Sequence, residues 1–270
     1  MILSSGTAST LAVGGPGLLA IVLYAVATLH GGDRDRWAAM ALPAAWLLHL
    51  VALVLHIVSW GPDNGGARLG FAPVLSLTVW IVIGLHALES RFVPVPAVRS
   101  WLAPAGALVV VLAACFPGDA RPFQSTLGPL HFVLGVGAYG LFGAAVLHGA
   151  LLDSAERRMR LKGPASAGWG GMPLLQLERL TFRFVQVGFV VLSAALLLGV
   201  ATTPQWRWDH KTVLSLLGWA VFAALLIGRH MRGWRGRRAT RWLYAGALLL
   251  LLAYAGSRFV IEVVLSRGAA

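Results

Sequence analysis

The chain consists almost wholly of long apolar runs separated by short polar words. A membrane-spanning helix needs about 20 mostly apolar residues. Eight stretches approach that length: 13–30, 39–60, 71–90, 101–116, 127–152, 181–203, 212–230 and 242–264. The fourth is the shortest. Chain breakers stand between them, among them Gly31-Gly32, Gly61-Pro62, Pro94-Val95-Pro96, Pro117-Gly118, Gly163-Pro164 and Pro204. The pattern predicts an all-α, polytopic membrane protein of about eight transmembrane helices, with residues 1–270 as a single integral membrane domain. The longest connection, 153–180, closes with the amphipathic Leu174-Leu175-Gln176-Leu177-Glu178-Arg179. That segment reads as a short helix lying at the interface before the sixth span.

Composition sharpens this picture. Hydrophobic residues make up 58% of the chain and charged residues 12%, against about 25% charged in ordinary soluble domains. A soluble fold of this size has no means of hiding so much apolar surface. A cytosolic enzyme, a disordered chain and a nucleic-acid-binding module are therefore excluded, and the lipid bilayer is the expected partner. One cysteine, Cys115, rules out an internal disulfide framework and a Cys-based metal centre; it reads as a small buried apolar residue. The N-terminus has no basic segment ahead of its first apolar run, so no cleavable signal peptide is expected.

Charge gives direction. Lys and Arg number 22 against 10 Asp and Glu, and 16 of the 22 lie at the first, third, fifth and seventh connections. By the positive-inside rule both termini are expected outside, in the periplasm of a bacterial inner membrane. The cluster Arg235-Gly236-Arg237-Arg238 reads as a stop-transfer flank or as a contact for anionic headgroups.

Ionisable and aromatic groups inside or beside a bilayer are candidates for function. His49 lies near the middle of the second span. His56 follows seven residues later, which is about two helical turns, so both imidazoles share a face. His131 opens the fifth span, ahead of the small residues Gly135, Gly137, Ala138, Gly140 and Gly143. Such residues allow close helix approach or leave room for a flat ligand. The word Trp206-Arg207-Trp208-Asp209-His210-Lys211 combines two indoles with both signs of charge. It serves as an interfacial belt or as a platform for a planar macrocycle. Tyr254, Arg258 and Glu262 form a polar stripe on the last span, in which Arg258 and Glu262 are spaced to neutralise each other. Imidazoles, indoles and cations are what a haem site uses for axial ligation, stacking and propionate pairing. No Ser-His-Asp order, phosphate-binding glycine loop or HExxH motif is present.

The Trp206–Lys211 word with Leu216 and Trp219, the Leu130-His131-Phe132-Val133 segment with Ala138-Tyr139, and the placement of His49 resemble the cytochrome c assembly superfamily (CcsA- and CcmC-like proteins). The words Met172-Pro173-Leu174-Leu175, Gly233-Trp234-Arg235-Gly236-Arg237-Arg238 and Gly256-Ser257-Arg258 are similar to its small eight-span, YpjD-type branch. The resemblance implies a haem-handling protein of cytochrome c biogenesis that binds haem b near the outer leaflet. Its implied partners are haem and other assembly proteins, and it has no self-contained catalytic site. On this reading His131 and His49 are haem-iron ligands and His56 and His210 are alternative nitrogen donors. Trp206 and Trp208 form the platform, and Lys211 and Arg258 pair with propionates. The pattern departs from the superfamily in two ways. No His follows His230, where a second outer His is usual, and His210 and Thr212 replace a proline and an acid. The alternatives are a component of divalent metal ion efflux or permease-like transport, and a scaffold whose Arg-rich loops dock a partner.

Overall fold

The computed structural model describes residues 3–29, 36–57, 67–91, 96–121, 123, 125–162, 174–202 and 208–265. Eight helices carry the chain: α1 (Leu3–Leu29), α2 (Arg36–Ile57), α3 (Phe71–Glu89), α4 (Pro96–Cys115), α5 (Gly128–Lys162), α6 (Leu174–Thr202), α7 (His210–Arg232) and α8 (Gly236–Leu251). Two-residue strands β1 (Ala67–Arg68) and β2 (Ala120–Arg121) pair antiparallel, Ala67 opposite Arg121. Beyond Leu251 the last helix widens into π-helical turns, Leu252–Gly256 and Val260–Leu265, on either side of the α-turn Ser257–Phe259. The protein is thus an all-α polytopic membrane protein. Among the described residues seven helices are long and apolar enough to cross a bilayer, and α1 adds a shorter apolar stretch, Gly14–Leu29.

Packing divides the chain into two units, Met1–Phe123 and Gln124–Ala270. In the first, α1 lies against α2 and α4, and α3 against α4 and α2. Tyr24 on α1 is fully buried. It fits because Gly106 faces it: a Cβ there would come within 2.7 Å of the phenol ring. Helices α2 and α3 are joined by a reciprocal indole pair. The Trp46 and Trp80 rings stack at 4.5 Å, and each indole N–H donates to the other residue's carbonyl at 2.9 Å. Aromatic area and two satisfied donors thereby meet at one point, where the surroundings offer no water.

In the second unit α5 packs on α6 and α8, and α7 on α8. Its centre is the stack of Phe142 on Phe222, 3.8 Å apart, with Leu225, Leu243 and Leu250 buried around it. Gly246 and Gly218 admit that core. A Cβ on the first would meet Phe222 at 2.8 Å, and one on the second would meet Leu250 at the same distance. Small residues at helix crossings supply the dispersion contact that drives association where lipid removes the hydrophobic incentive. Asp153 is held at the far end of α5 by hydroxyls from α8: Thr240 donates to Oδ1 and Tyr244 to Oδ2, both at 2.9 Å.

Three details differ from the sequence reading. The fourth span is full length, because α4 begins at Pro96, a residue whose fixed φ and missing donor suit the first helical position. The segment at 174–180 is not a separate interfacial helix but the first turns of α6. No proline interrupts Leu174–Thr202, so the helix runs on. Cys115 is exposed, not buried. It ends α4, and in a membrane an apolar residue faces lipid at no cost, so apolarity does not imply an interior position.

Candidate functional site

The chemistry of the second unit gathers where α5 and α7 begin and where α6 and α8 end. His131 enters from the first turn of α5. Its Nδ1 is 2.9 Å from the Ala195 carbonyl of α6. A carbonyl only accepts, so Nδ1 carries the proton and donates, leaving Nε2 with its lone pair. Gly199, one turn beyond Ala195, makes the approach possible: a Cβ there would sit 2.9 Å from His131 Cε1. The imidazole therefore rests in a notch whose shape depends on an absent side chain. Gly135 is one turn along α5, and a Cβ placed on it meets nothing within 4 Å. The α5 surface next to His131 is open.

Lys211, in the first turn of α7, is near enough to act electrostatically on His131 and on Arg258. Its Nζ lies 5.5 Å from the centre of the Tyr254 ring, and the Arg258 guanidinium lies 6.0 Å from the same ring. Both cations thus lie by one aromatic ring. Arg258 also pairs with Glu262 at 3.8 Å, the neutralising contact expected from their spacing. Tyr254 falls within the first π-helical segment. π-turns shift amide donors by one residue, so a carbonyl at the junction loses its usual partner. The Tyr139 hydroxyl donates to the Leu250 carbonyl there.

The loop before α7 is described only from Trp208. Trp206 and Arg207 lie outside the described residues. Trp208 is 73% exposed, and His210 is also exposed. Asp209 is the N-cap of α7, and its carboxylate accepts from the Thr212 amide at 2.8 Å. That hydrogen bond favours the ionised form and holds the Asp209 carboxyl below its ordinary value.

His49 and His56 belong to the first unit. His49 is 1% exposed, and both its nitrogens are engaged: Nδ1 with the Tyr24 hydroxyl at 3.1 Å, Nε2 with the Ser76 hydroxyl at 2.8 Å. The result is a buried Tyr24–His49–Ser76 chain across α1, α2 and α3. Sequence reading singled out His49 but neither partner; Tyr24 and Ser76 carry no signal by themselves in apolar helices. His56 is half-buried in the last turn of α2, within electrostatic range of Arg68. His148 is buried, and its Nδ1 donates to the Ala144 carbonyl one turn back at 2.7 Å. Among the described residues, no three His, Cys, Asp or Glu side chains come together as a metal-binding group.

An iron porphyrin needs an axial nitrogen lone pair, room beside it and cations for its carboxylates. His131, the open surface at Gly135, and Lys211 with Arg258 meet these needs. The imidazole–carbonyl hydrogen bond is the outer-shell contact that metal-ligating histidines use to hold their tautomer.

Comparison with known proteins places this geometry in context. Residues 69–265 match the family model described as "Cytochrome C assembly protein". The chain is 30% identical over 265 residues to the inner membrane protein YpjD of Escherichia coli strain K12, covering 92% of this chain and 98% of that protein. It is 25% identical over 262 residues to the cytochrome c biogenesis protein CcsA of Synechococcus sp. strain CC9605, covering 82% of this chain and 86% of CcsA. A second CcsA, from Prochlorococcus marinus strain MIT 9515, is 26% identical over 219 residues, 69% of this chain and 70% of that protein. No solved structure matches the chain.

Proposed function

The chain belongs to the cytochrome c assembly protein family, and from that membership we propose that it is a multi-pass inner-membrane protein of cytochrome c biogenesis that binds haem b near the outer leaflet. The observation carrying the haem reading is the His131 Nδ1–Ala195 carbonyl hydrogen bond at 2.9 Å. It presents Nε2 as a lone pair beside open helix surface, with Lys211 and Arg258 at the same end of the unit. When bound, haem would supply an iron that accepts a nitrogen lone pair and a macrocycle with two carboxylates. His131 would hold the iron through Nε2. Lys211 and Arg258 pair with the propionates, and Trp206 and Trp208 offer stacking faces. His210 and His56 are further nitrogen donors. His49 becomes a ligand only by giving up its bond to Tyr24 or to Ser76, so the reading turns on His131. With 16 of 22 basic residues on the opposite side, the His131 end and both termini face the periplasm. The role is haem holding and transfer to assembly partners rather than self-contained catalysis.

The test is the absorption spectrum of the purified full chain titrated with haem. A Soret band that grows to one haem per chain is expected. His131→Ala should weaken binding at least tenfold, and His131→Gly should recover binding with added imidazole. No Soret change with the unmodified chain, or equal binding by His131→Ala, overturns the proposal.

A further inference from the structure

At the arginine-rich end of the second unit, a cleft of about 700 Å³ opens where the α5 extension, the start of α6 and the α7–α8 turn meet. It is lined by Arg160, Arg235 and Arg237, with Glu156, Glu178, Met159 and Gly236. The acids are largely committed. Glu178 is 12% exposed and accepts from Arg229 at 2.8 Å, with Arg235 at 3.7 Å. Glu156 lies over the first residue of α8, its Oε1 3.1 Å from where a Gly236 Cβ would sit. The N-cap residue Arg235 makes no side-chain cap hydrogen bond. Arg160 and Arg237 form no ion pair with a described carboxylate, so the cleft keeps uncompensated positive charge.

We propose that this cleft binds a phosphate group, supplied by the headgroup of an anionic phospholipid, with Arg160 and Arg237 as its principal contacts. Arg160 and Arg237 line one cavity, and planar guanidinium forks match tetrahedral phosphate oxygens in bidentate pairs better than an ammonium does. The position favours lipid as the source. The cleft lies at helix ends beside the apolar spans. Basic pockets between transmembrane helices are known to take anionic headgroups. The Met159 side chain gives an apolar wall on which the glycerol end can rest. The proposal is independent of haem and uses no residue of the His131 site.

The experiment measures thermal unfolding of the full chain in neutral detergent. Three additions are compared: short-chain phosphatidylglycerol, short-chain phosphatidylcholine and inorganic phosphate. Phosphatidylglycerol should raise Tm by several degrees over phosphatidylcholine, and R160Q/R237Q should lose at least half of that gain. R241Q, which removes an exposed arginine outside the cleft, should keep it. An arginine-dependent shift with inorganic phosphate alone would keep the site and reassign its ligand to free phosphate. If R160Q/R237Q does not fold, R160K/R237K keeps the charge, loses the forks and should still bind at least threefold more weakly. Equal shifts in the native chain and the cleft variants, or an equal loss in R241Q, overturn the proposal.

Discussion

Gly199 has no side chain because His131 occupies the space one would fill. Gly199→Ala should therefore push the imidazole off the Ala195 carbonyl. Overpacking of this kind costs about 1–3 kcal/mol, but the informative readout is spectral: the Soret maximum of the haem complex should move, and affinity should drop several-fold. An unchanged spectrum would show that the notch does not set the ligand. The indole pair makes a comparable point for stability. Trp46→Phe keeps the ring stack but removes the donor to the Trp80 carbonyl. The Trp80 carbonyl keeps its helical partner in α3, so the loss is that of one hydrogen bond, about 0.5–1.5 kcal/mol, to be seen as a lower Tm with no effect on haem binding. Legibility differs between the two sites. His131 was visible in the sequence because imidazole at the head of an apolar helix is rare. The Tyr24–His49–Ser76 chain was only one-third visible, since its hydroxyls are ordinary residues until the fold brings them to His49 from 25 and 27 positions away.

Among the helices, α7 has the clearest boundary chemistry. Asp209 caps it at the start, and at its end Gly233 takes a left-handed φ of 62°, a conformation that glycine adopts freely. Replacing an Asp N-cap by Ala costs about 1 kcal/mol. Because the Asp209 carboxyl is held below its ordinary value of 3.8, the unfolded state binds the proton more tightly. The stabilisation is then fully present above that value and is lost as pH falls through the lower folded value. The stability gap between the native chain and Asp209→Ala, measured by unfolding in detergent, should be constant near neutral pH and close in acid. Asp209→Asn should retain most of the cap and lose the acid dependence. In the same unit, Tyr139→Phe removes the hydroxyl donated to the Leu250 carbonyl. Hydrogen exchange should then speed up in 252–256 more than in the middle of α8. Equal protection in both segments would show that the hydroxyl does not support the π-turn. Neither π-segment was legible in the sequence, because 252–265 reads as the same apolar helix whichever way its amides bond.

At the scale of the molecule, the proposed periplasmic placing of the His131 end rests on how the basic residues are distributed among the connections. Reporter fusions at the C-terminus should be active for a periplasmic phosphatase and dark for a cytoplasmic fluorescent protein; the reverse result would move His131 to the inner face and defeat the outer-leaflet reading. Spans, class and family membership were determined by the sequence itself, since partition into lipid depends on local sums over about 20 residues, and family words are local too. The tertiary structure decided the rest. Which imidazole keeps a lone pair depends on partners 25 to 64 positions distant. Which glycines are notches depends on the ring that arrives opposite. Which arginines stay uncompensated depends on carboxylates brought in by other helices. These are outcomes of helix packing between distant segments, and no window of sequence contains both sides of the contact.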